Sequence, residues 1–244
     1  MKNIKYLIQF IFLFLLFGIF KILGLKLSLL ISKFIFTQIG PFFRSNTISQ
    51  INLSYAFKDI DKSHKDKIRK KMWGNYGKIF AEYMFIKQFR KNPEFSKKIF
   101  IENDQIINEI KESSEPVIFI SGHFNNFELM AMQIEKSGIN LTAIYRPLNN
   151  IFLNPIMERI RKKYICRNQI KKGISGMKDL LKSFKDKSSI ALMIDQRVSE
   201  GIRSNFFGKE ALTTTIPAQF VKKFNSKIVP VHIERLENDG FKIK

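Results

Sequence analysis

Apolar residues follow three rhythms along this chain, and each rhythm predicts a different kind of element. From Tyr6 to Phe20 they form an almost unbroken run, YLIQFIFLFLLFGIF, preceded by Lys2 and Lys5 and closed by Lys21. The run falls short of the roughly 20 residues that a straight spanning helix needs. Ile22-Leu23-Gly24-Leu25 extends it if the Lys21 ammonium snorkels toward the interface. A secretory signal also begins basic and then apolar, yet no small-x-small cleavage site follows; Lys21, Lys26 and Lys33 follow instead. The segment therefore reads as a retained membrane anchor or monotopic helix, with a buried core helix as its rival. Lysines flank both ends, so charge assigns no orientation. Between Leu25 and Phe36, Leu29, Leu30, Phe34 and Ile35 lie beside Lys26 and Lys33. That pattern suits a helix lying in the interface of an anionic leaflet, and equally one that packs on the domain.

The second rhythm is helical and runs from Asp59 to Phe89, where Ile68, Met72, Trp73, Ile79, Phe80, Tyr83 and Phe85 recur among lysines. Gly74 and Gly77 inside it predict close helix packing or a break. After Pro116 a third rhythm begins. Val117-Ile118-Phe119-Ile120 is the short apolar run of a buried parallel strand, followed by a helix from Glu128 to Lys136 that ends at Gly138. Strands at Leu141 to Tyr145, Ile190 to Ile194 and Lys227 to Ile233 then alternate with helices around Pro155 to Lys163, Ile174 to Phe184 and Ile216 to Phe224. Strands separated by helices need crossover connections, so the predicted fold is α/β, a mostly parallel central sheet flanked by helices. In such sheets ligands bind beyond the carboxyl ends of the strands.

Charge narrows the partners. The chain of 244 residues carries a formal net charge of +21, which calls for an anionic surface: nucleic acid, acidic phospholipid, phosphorylated glycolipid or an acidic carrier protein. Nucleic acid is set aside, because no binding module and no basic stretch interleaved with exposed aromatics is present. The single cysteine, Cys166, excludes an internal disulfide and a cysteine-based zinc site, and reads as a small buried residue. His64 lies in a charged, solvated run and His232 in a strand; neither belongs to a convergent ligand set, so no metal is expected.

The chemistry concentrates in Ser121-Gly122-His123-Phe124-Asn125-Asn126-Phe127-Glu128, which follows a buried strand and opens a helix. On one continuous helix His123 and Glu128 would point about 140° apart. With His123 in the turn and Asn125 or Asn126 as the cap, Glu128 falls in the first helical turn. There the helix dipole favours a carboxylate, and Glu128 can reach back to an imidazole nitrogen. A carboxylate on one nitrogen fixes the tautomer and leaves the other nitrogen to act as a general base. A satisfied structural histidine is the alternative.

The run GHFNNFE resembles the His-x4-Asp/Glu motif of glycerolipid-type acyltransferases, in the form found among the late (lauroyl/myristoyl) lipid A acyltransferases. Further segments resemble that family in its order: Tyr145-Arg146-Pro147, Asn154-Pro155, Asp195-Gln196, Phe206-Phe207-Gly208 through Ala211 with Thr213-Thr214-Thr215, and Lys227-Ile228-Val229-Pro230. Asn52-Leu53 with Ala56-Phe57 fits near its beginning. The resemblance implies residues 1–40 as anchor and interfacial helix and 41–244 as the catalytic domain. It also implies that the sequence stops some fifty residues short of the family's usual end.

The implied activity is transfer of a fatty acyl chain from an acyl carrier protein thioester, or from acyl-CoA, to a hydroxyl of a lipid A precursor. The place would be the cytoplasmic face of the bacterial inner membrane, and no further cofactor is needed. Another membrane lipid as acceptor, or a non-catalytic membrane-surface relative, is the alternative. His123 would deprotonate the acceptor hydroxyl and Glu128 would orient the imidazole. Arg146 and Arg167 are the candidates for phosphate contacts, each with an ion pair as its bland alternative. Asp195 would position an active-site arginine or cap the next turn. Asn126 would shape the motif as a helix cap, and Phe207 and Gly208, with Phe206, would line the acyl pocket or merely pack a loop.

Overall fold

The computed structural model describes residues 2–43 and 46–244. The helices are α1 (Lys2–Phe43), α2 (Asn46–Ala56), α3 (Lys62–Glu82), α4 (Ile86–Lys91), α5 (Pro93–Ser96), α6 (Asp104–Ser113), α7 (Phe127–Lys136), α8 (Leu153–Ile160), α9 (Ile174–Lys185) and α10 (Ile216–Phe224). The strands are β1 (Ile99–Ile101), β2 (Ile118–Ser121), β3 (Leu141–Tyr145), β4 (Asn168–Lys171), β5 (Ser189–Met193), β6 (Ile202–Phe206), β7 (Lys209–Thr213), β8 (Ile228–Pro230), β9 (Ile233–Arg235) and β10 (Phe241–Ile243). The chain forms two compact units, Met1–Phe12 with Ile86–Gly201 and Thr213–Lys244, and Leu13–Phe85 with Ile202–Leu212.

The first, the sheet unit, is built on a five-stranded sheet of order β4-β3-β5-β2-β8 in which every pairing is parallel. The α/β architecture expected from alternating strands and helices is therefore present. Ile118 and Ile120 of β2 point into a cluster with Ile190 and Leu192 of β5, Leu180 and Phe184 of α9, and Phe220 of α10. Phe119 and Ser121 point to the other face, where the Ser121 hydroxyl meets Met130 Sδ of α7 at 3.7 Å. Strands buried on both faces explain why they read as continuous apolar runs. Each fully buried side chain of this size contributes about 1.5–3 kcal/mol relative to exposure.

One expected element divides. The apolar run Lys227 to Ile233 forms two strands, β8 on the parallel sheet and β9 on a second sheet of order β1-β10-β9. Between them His232 exchanges two backbone hydrogen bonds with Lys244, each 3.0 Å, which transfers the chain from one sheet to the other. The helix expected around Pro155 to Lys163 likewise ends as α8 at Ile160 and continues as a widened π-turn, Arg161–Ile165.

The second, helical unit holds most of α1, with α2, α3 and the β6–β7 hairpin. Helix α1 is broken at Gly24, whose backbone (φ 75°, ψ 172°) is one that glycine adopts without a Cβ penalty. The Ser28 hydroxyl lies 2.9 Å from Phe20 O and 2.7 Å from Gly24 O and shares its one proton between carbonyls that the break would orphan. Phe17 and Phe20 before the break and Leu25 and Leu29 after it gather with Phe80 and Ala81 of α3. Gly74 and Gly77 mark close packing rather than a break in α3. A Cβ on Gly77 would lie 2.3 Å from Ser32 O, and the Ser32 hydroxyl donates to Gly77 O at 2.7 Å.

Outside that cluster α1 is apolar and bare. Its length and composition suffice to cross a membrane, and almost none of its most apolar stretch is buried. At 1.5 Å per residue, the part before Gly24 runs roughly 33 Å, against roughly 30 Å of bilayer hydrocarbon. In the sheet unit, the buried Asn150 side chain donates to Tyr6 O at 2.9 Å and so ties the first turns of α1 to the loop after β3.

Candidate active site

Four strands of the parallel sheet deliver residues to one cavity. It has a volume of about 420 Å³ and opens beyond the strands' carboxyl ends. His123 follows β2, Tyr145 ends β3 and Arg146 follows it, Lys172 follows β4, and Gln196 follows β5, with Glu128 from α7 and Arg161 from the π-turn. Ala131, Ala143 and Ala191 give the wall an apolar, small-residue stretch suited to hydrocarbon.

The register of β2 on β5 sets the central contact. Ser121 pairs with Met193, and Ile194 N donates to Ser121 O at 2.9 Å, so two residues further His123 arrives opposite Asp195. The His123 backbone N–H donates to Asp195 Oδ2 at 2.8 Å, and the imidazole Nδ1 lies 2.8 Å from Oδ1. Both aspartate oxygens thus hold one residue, by its backbone and by its ring. Placing the proton on Nδ1, toward the carboxylate, leaves Nε2 as the acceptor nitrogen. The Phe127 ring stands edge-on to the imidazole at 4.8 Å and restrains it from another side.

Glu128 sits in the first turn of α7, as expected, and is buried. Yet the carboxylate on the imidazole Nδ1 is Asp195, expected instead to position an arginine or cap a turn, whereas Glu128, expected to reach the imidazole, bonds Arg161. Glu128 Oε1 accepts from Arg161 Nε (2.9 Å) and Nη2 (2.6 Å), a double contact that aligns the guanidinium with the carboxylate. The turn between strand and helix is shaped by both asparagines. Asn125 takes a left-handed backbone (φ 41°) and its Nδ2 donates to Ile233 O at 3.2 Å. Asn126 is fully buried at the N-cap, and its carbonyl accepts from Leu129 N–H at 3.0 Å.

Around Arg161 a further network fixes the wall. Its guanidinium lies 5.8 Å from the Tyr145 ring centroid. Burial first, and a hydrogen bond to Glu158 second, push the Tyr145 phenol up to about 12. The same bond, followed by one from Asn154, holds Glu158 below the usual carboxylate range. Asn154, the first residue of the Asn-Pro pair, donates to Glu158 Oε1 (2.9 Å) and accepts from Leu148 N (2.8 Å), joining α8 to the loop that carries Arg146.

His123, Glu128 and Arg146 therefore line one cavity, with Asp195 behind the histidine. Arg167 is not among the lining residues: its side chain is 83% exposed and lies 3.6 Å from Glu135. Phe207 and Gly208 form the turn of the β6–β7 hairpin in the helical unit and are not among the lining residues either. Cys166 is fully buried, and burial raises its thiol to about 12, which removes it as a nucleophile. Arg161 is the residue that sequence reasoning passed over. It stands in the basic run Arg159-Ile160-Arg161-Lys162-Lys163, where nothing linear separates it from its solvated neighbours.

The cavity can do acid–base chemistry on a hydroxyl beside an apolar wall, under a cationic rim of Arg146, Arg161 and Lys172 partly neutralised by Glu128. Among curated individual proteins none matches the chain. The family model for bacterial lipid A biosynthesis acyltransferases matches residues 1–244, so the chain belongs to that acyltransferase family and is an enzyme of its class.

Proposed function

We propose that this enzyme transfers a fatty acyl chain from an acyl carrier protein thioester, or from acyl-CoA, to a hydroxyl of a lipid A precursor at the cytoplasmic face of the bacterial inner membrane. The observation that carries the mechanism is His123 on the cavity wall with Asp195 held against Nδ1. Nε2 of His123 takes the proton of the acceptor hydroxyl as its oxygen attacks the thioester carbonyl. Collapse of the tetrahedral intermediate breaks the carbon–sulfur bond, and the imidazolium returns its proton to the leaving thiolate. Asp195 is the positioning residue that stabilises the imidazolium while it exists.

Glu128 acts through Arg161, holding the guanidinium on the cavity wall. Arg161, Arg146 and Lys172 offer cations to a phosphorylated acceptor, and the arginines can grip phosphate with two donors at once. Asn126 and Asn125 hold the turn that presents His123. The apolar wall along Ala131, Ala143 and Ala191 receives the acyl chain. The family supports acyl transfer in lipid A biosynthesis, and the apolar α1 supports membrane association.

The test is transfer by purified full-length protein with acyl carrier protein thioesters of several chain lengths and a bacterial lipid extract as acceptor. His123→Ala is expected to lower kcat about 10²- to 10⁴-fold without lowering Tm. Mass spectrometry of the product identifies acceptor and chain. Undiminished turnover in the variant would overturn the assignment of His123.

A further inference from the structure

In the helical unit, α2 and the β6–β7 hairpin present apolar side chains to the surroundings. The hairpin turn places Phe207 and Gly208 at φ 51° and 73°, the pair of left-handed conformations that a two-residue turn needs. Glycine, asparagine or aspartate enters such a turn readily, whereas a bulky aromatic at positive φ is uncommon. Yet the tip carries two aromatics. Phe206 and Phe207 are 66% and 57% exposed, their rings 4.6 Å apart and edge to face. Strand β6 is exposed at every position. A two-stranded ribbon of this kind is marginal in water.

Helix α2 buries none of its residues, and Ile48 and Ile51 are exposed on it. The Lys209 ammonium stands 5.0 Å from the Tyr55 ring centroid, which joins the hairpin to α2. Arg203 on β6, in an exposed ion pair with Glu210 of β7 at 3.1 Å, and Lys58 after α2 add further exposed positive charge. An acidic protein surface would satisfy these cations and leave the paired rings in water. A second copy of the chain, at +21, would be repelled. Rings at the boundary between headgroups and acyl chains, with ammonium and guanidinium groups at the phosphates, satisfy both.

We propose that the β6–β7 hairpin is a second membrane contact, in which Phe206 and Phe207 enter the headgroup boundary of an anionic leaflet while Arg203, Lys209 and Lys58 meet lipid phosphates. The proposal rests on the membrane association read from α1. Its test therefore probes both places in the full chain, reconstituted into vesicles of phosphatidylethanolamine and phosphatidylglycerol. An environment-sensitive fluorophore is attached at Phe207→Cys, at Leu15→Cys on the exposed side of α1, or at Lys182→Cys on α9 as a solvent reference; the buried Cys166 does not compete for label.

The label at 207 is expected to shift to the blue and to be quenched at least about twofold by lipids carrying a shallow nitroxide, while the label at 182 responds only to aqueous iodide. In phosphatidylcholine vesicles the lipid quenching at 207 is expected to fall about twofold or more. Equal quenching in both lipids would overturn the anionic commitment. Lipid quenching at 15 with iodide quenching at 207 would overturn the hairpin contact alone. Lipid quenching at neither would overturn the membrane reading of α1 together with it. Shielding of 207 from both quenchers would place protein over the tip and overturn the proposal.

Discussion

Two sets of phenylalanines, one from each unit, occupy opposite environments, although each unit holds both kinds: Phe20 and Phe85 are buried in the helical unit, and Phe100 and Phe124 are exposed in the sheet unit. In the sheet unit Phe119, Phe184, Phe220 and Phe241 are 0–3% exposed, whereas in the helical unit Phe14, Phe34, Phe206 and Phe207 are 57–66% exposed. The same side chain serves packing in one place and faces outward in the other. A count of aromatic residues is therefore a poor index of core size here. In the membrane reading proposed above, what separates the two uses is the medium against which each surface is folded: water for a sheet that buries its strands on both faces, and lipid for a helix with a bare apolar flank.

Substitutions of one residue type break that comparison most directly. Phe220→Ala should cost about 3–5 kcal/mol and lower Tm in detergent by roughly 10 °C, while Phe34→Ala should stay within about 0.5 kcal/mol. A comparable loss from both, by calorimetry, would mean that the helical unit packs like the sheet unit. Glu128→Gln comes next. It strands the mostly buried Arg161 cation, whose side chain is 15% exposed, and should cost about 3 kcal/mol. Replacing the pair together, Glu128→Leu with Arg161→Met, should return the stability to within about 1 kcal/mol and still leave acyl transfer at background. That outcome separates the pair's structural part from its work in the cavity.

Gly77→Ala tests the inward-facing side of the helical unit, where Ser32 O leaves no room for a methyl group. A loss of about 1–3 kcal/mol is expected, read in the same thermal scan. The smallest effect belongs to Tyr145. An unfolded phenol titrates near 10, while burial and Glu158 push this one up to about 12. Between those values the unfolded chain has lost a proton that the folded chain keeps, so stability falls as pH rises through that window and is complete below it. Tyr145→Phe should flatten this alkaline slope in denaturant titrations.

Much of the sheet was legible, and the reason is local. β2, β3 and β5 are short, apolar and bounded by helices, and a strand buried on both faces has no other pattern available. β4, with the residues Asn168-Gln169-Ile170-Lys171, was not, because a polar edge strand shares its composition with loops. The division of Lys227 to Ile233 was hidden for the opposite reason: both halves are apolar, and only the pairing of His232 with Lys244 separates them. In the cavity, His123 and Glu128 were conspicuous by motif, and Arg146 by its place at a strand end. The partnerships were not. Asp195 reaches His123 through a strand register, and Arg161 reaches Glu128 across 33 residues and a widened helical turn, neither of which leaves a linear trace.

The pairing of β1 with β10 has a consequence in time. Ile99 lies beside Phe241, so the small sheet cannot close until roughly 140 further residues have been made, on the order of ten seconds at ribosomal speed. β2 waits almost as long for β8. Helix α1 has meanwhile left the ribosome, free to meet a bilayer before the sheet is finished. During synthesis the half-built sheet keeps open edges, a stage at which chaperones can decide its fate.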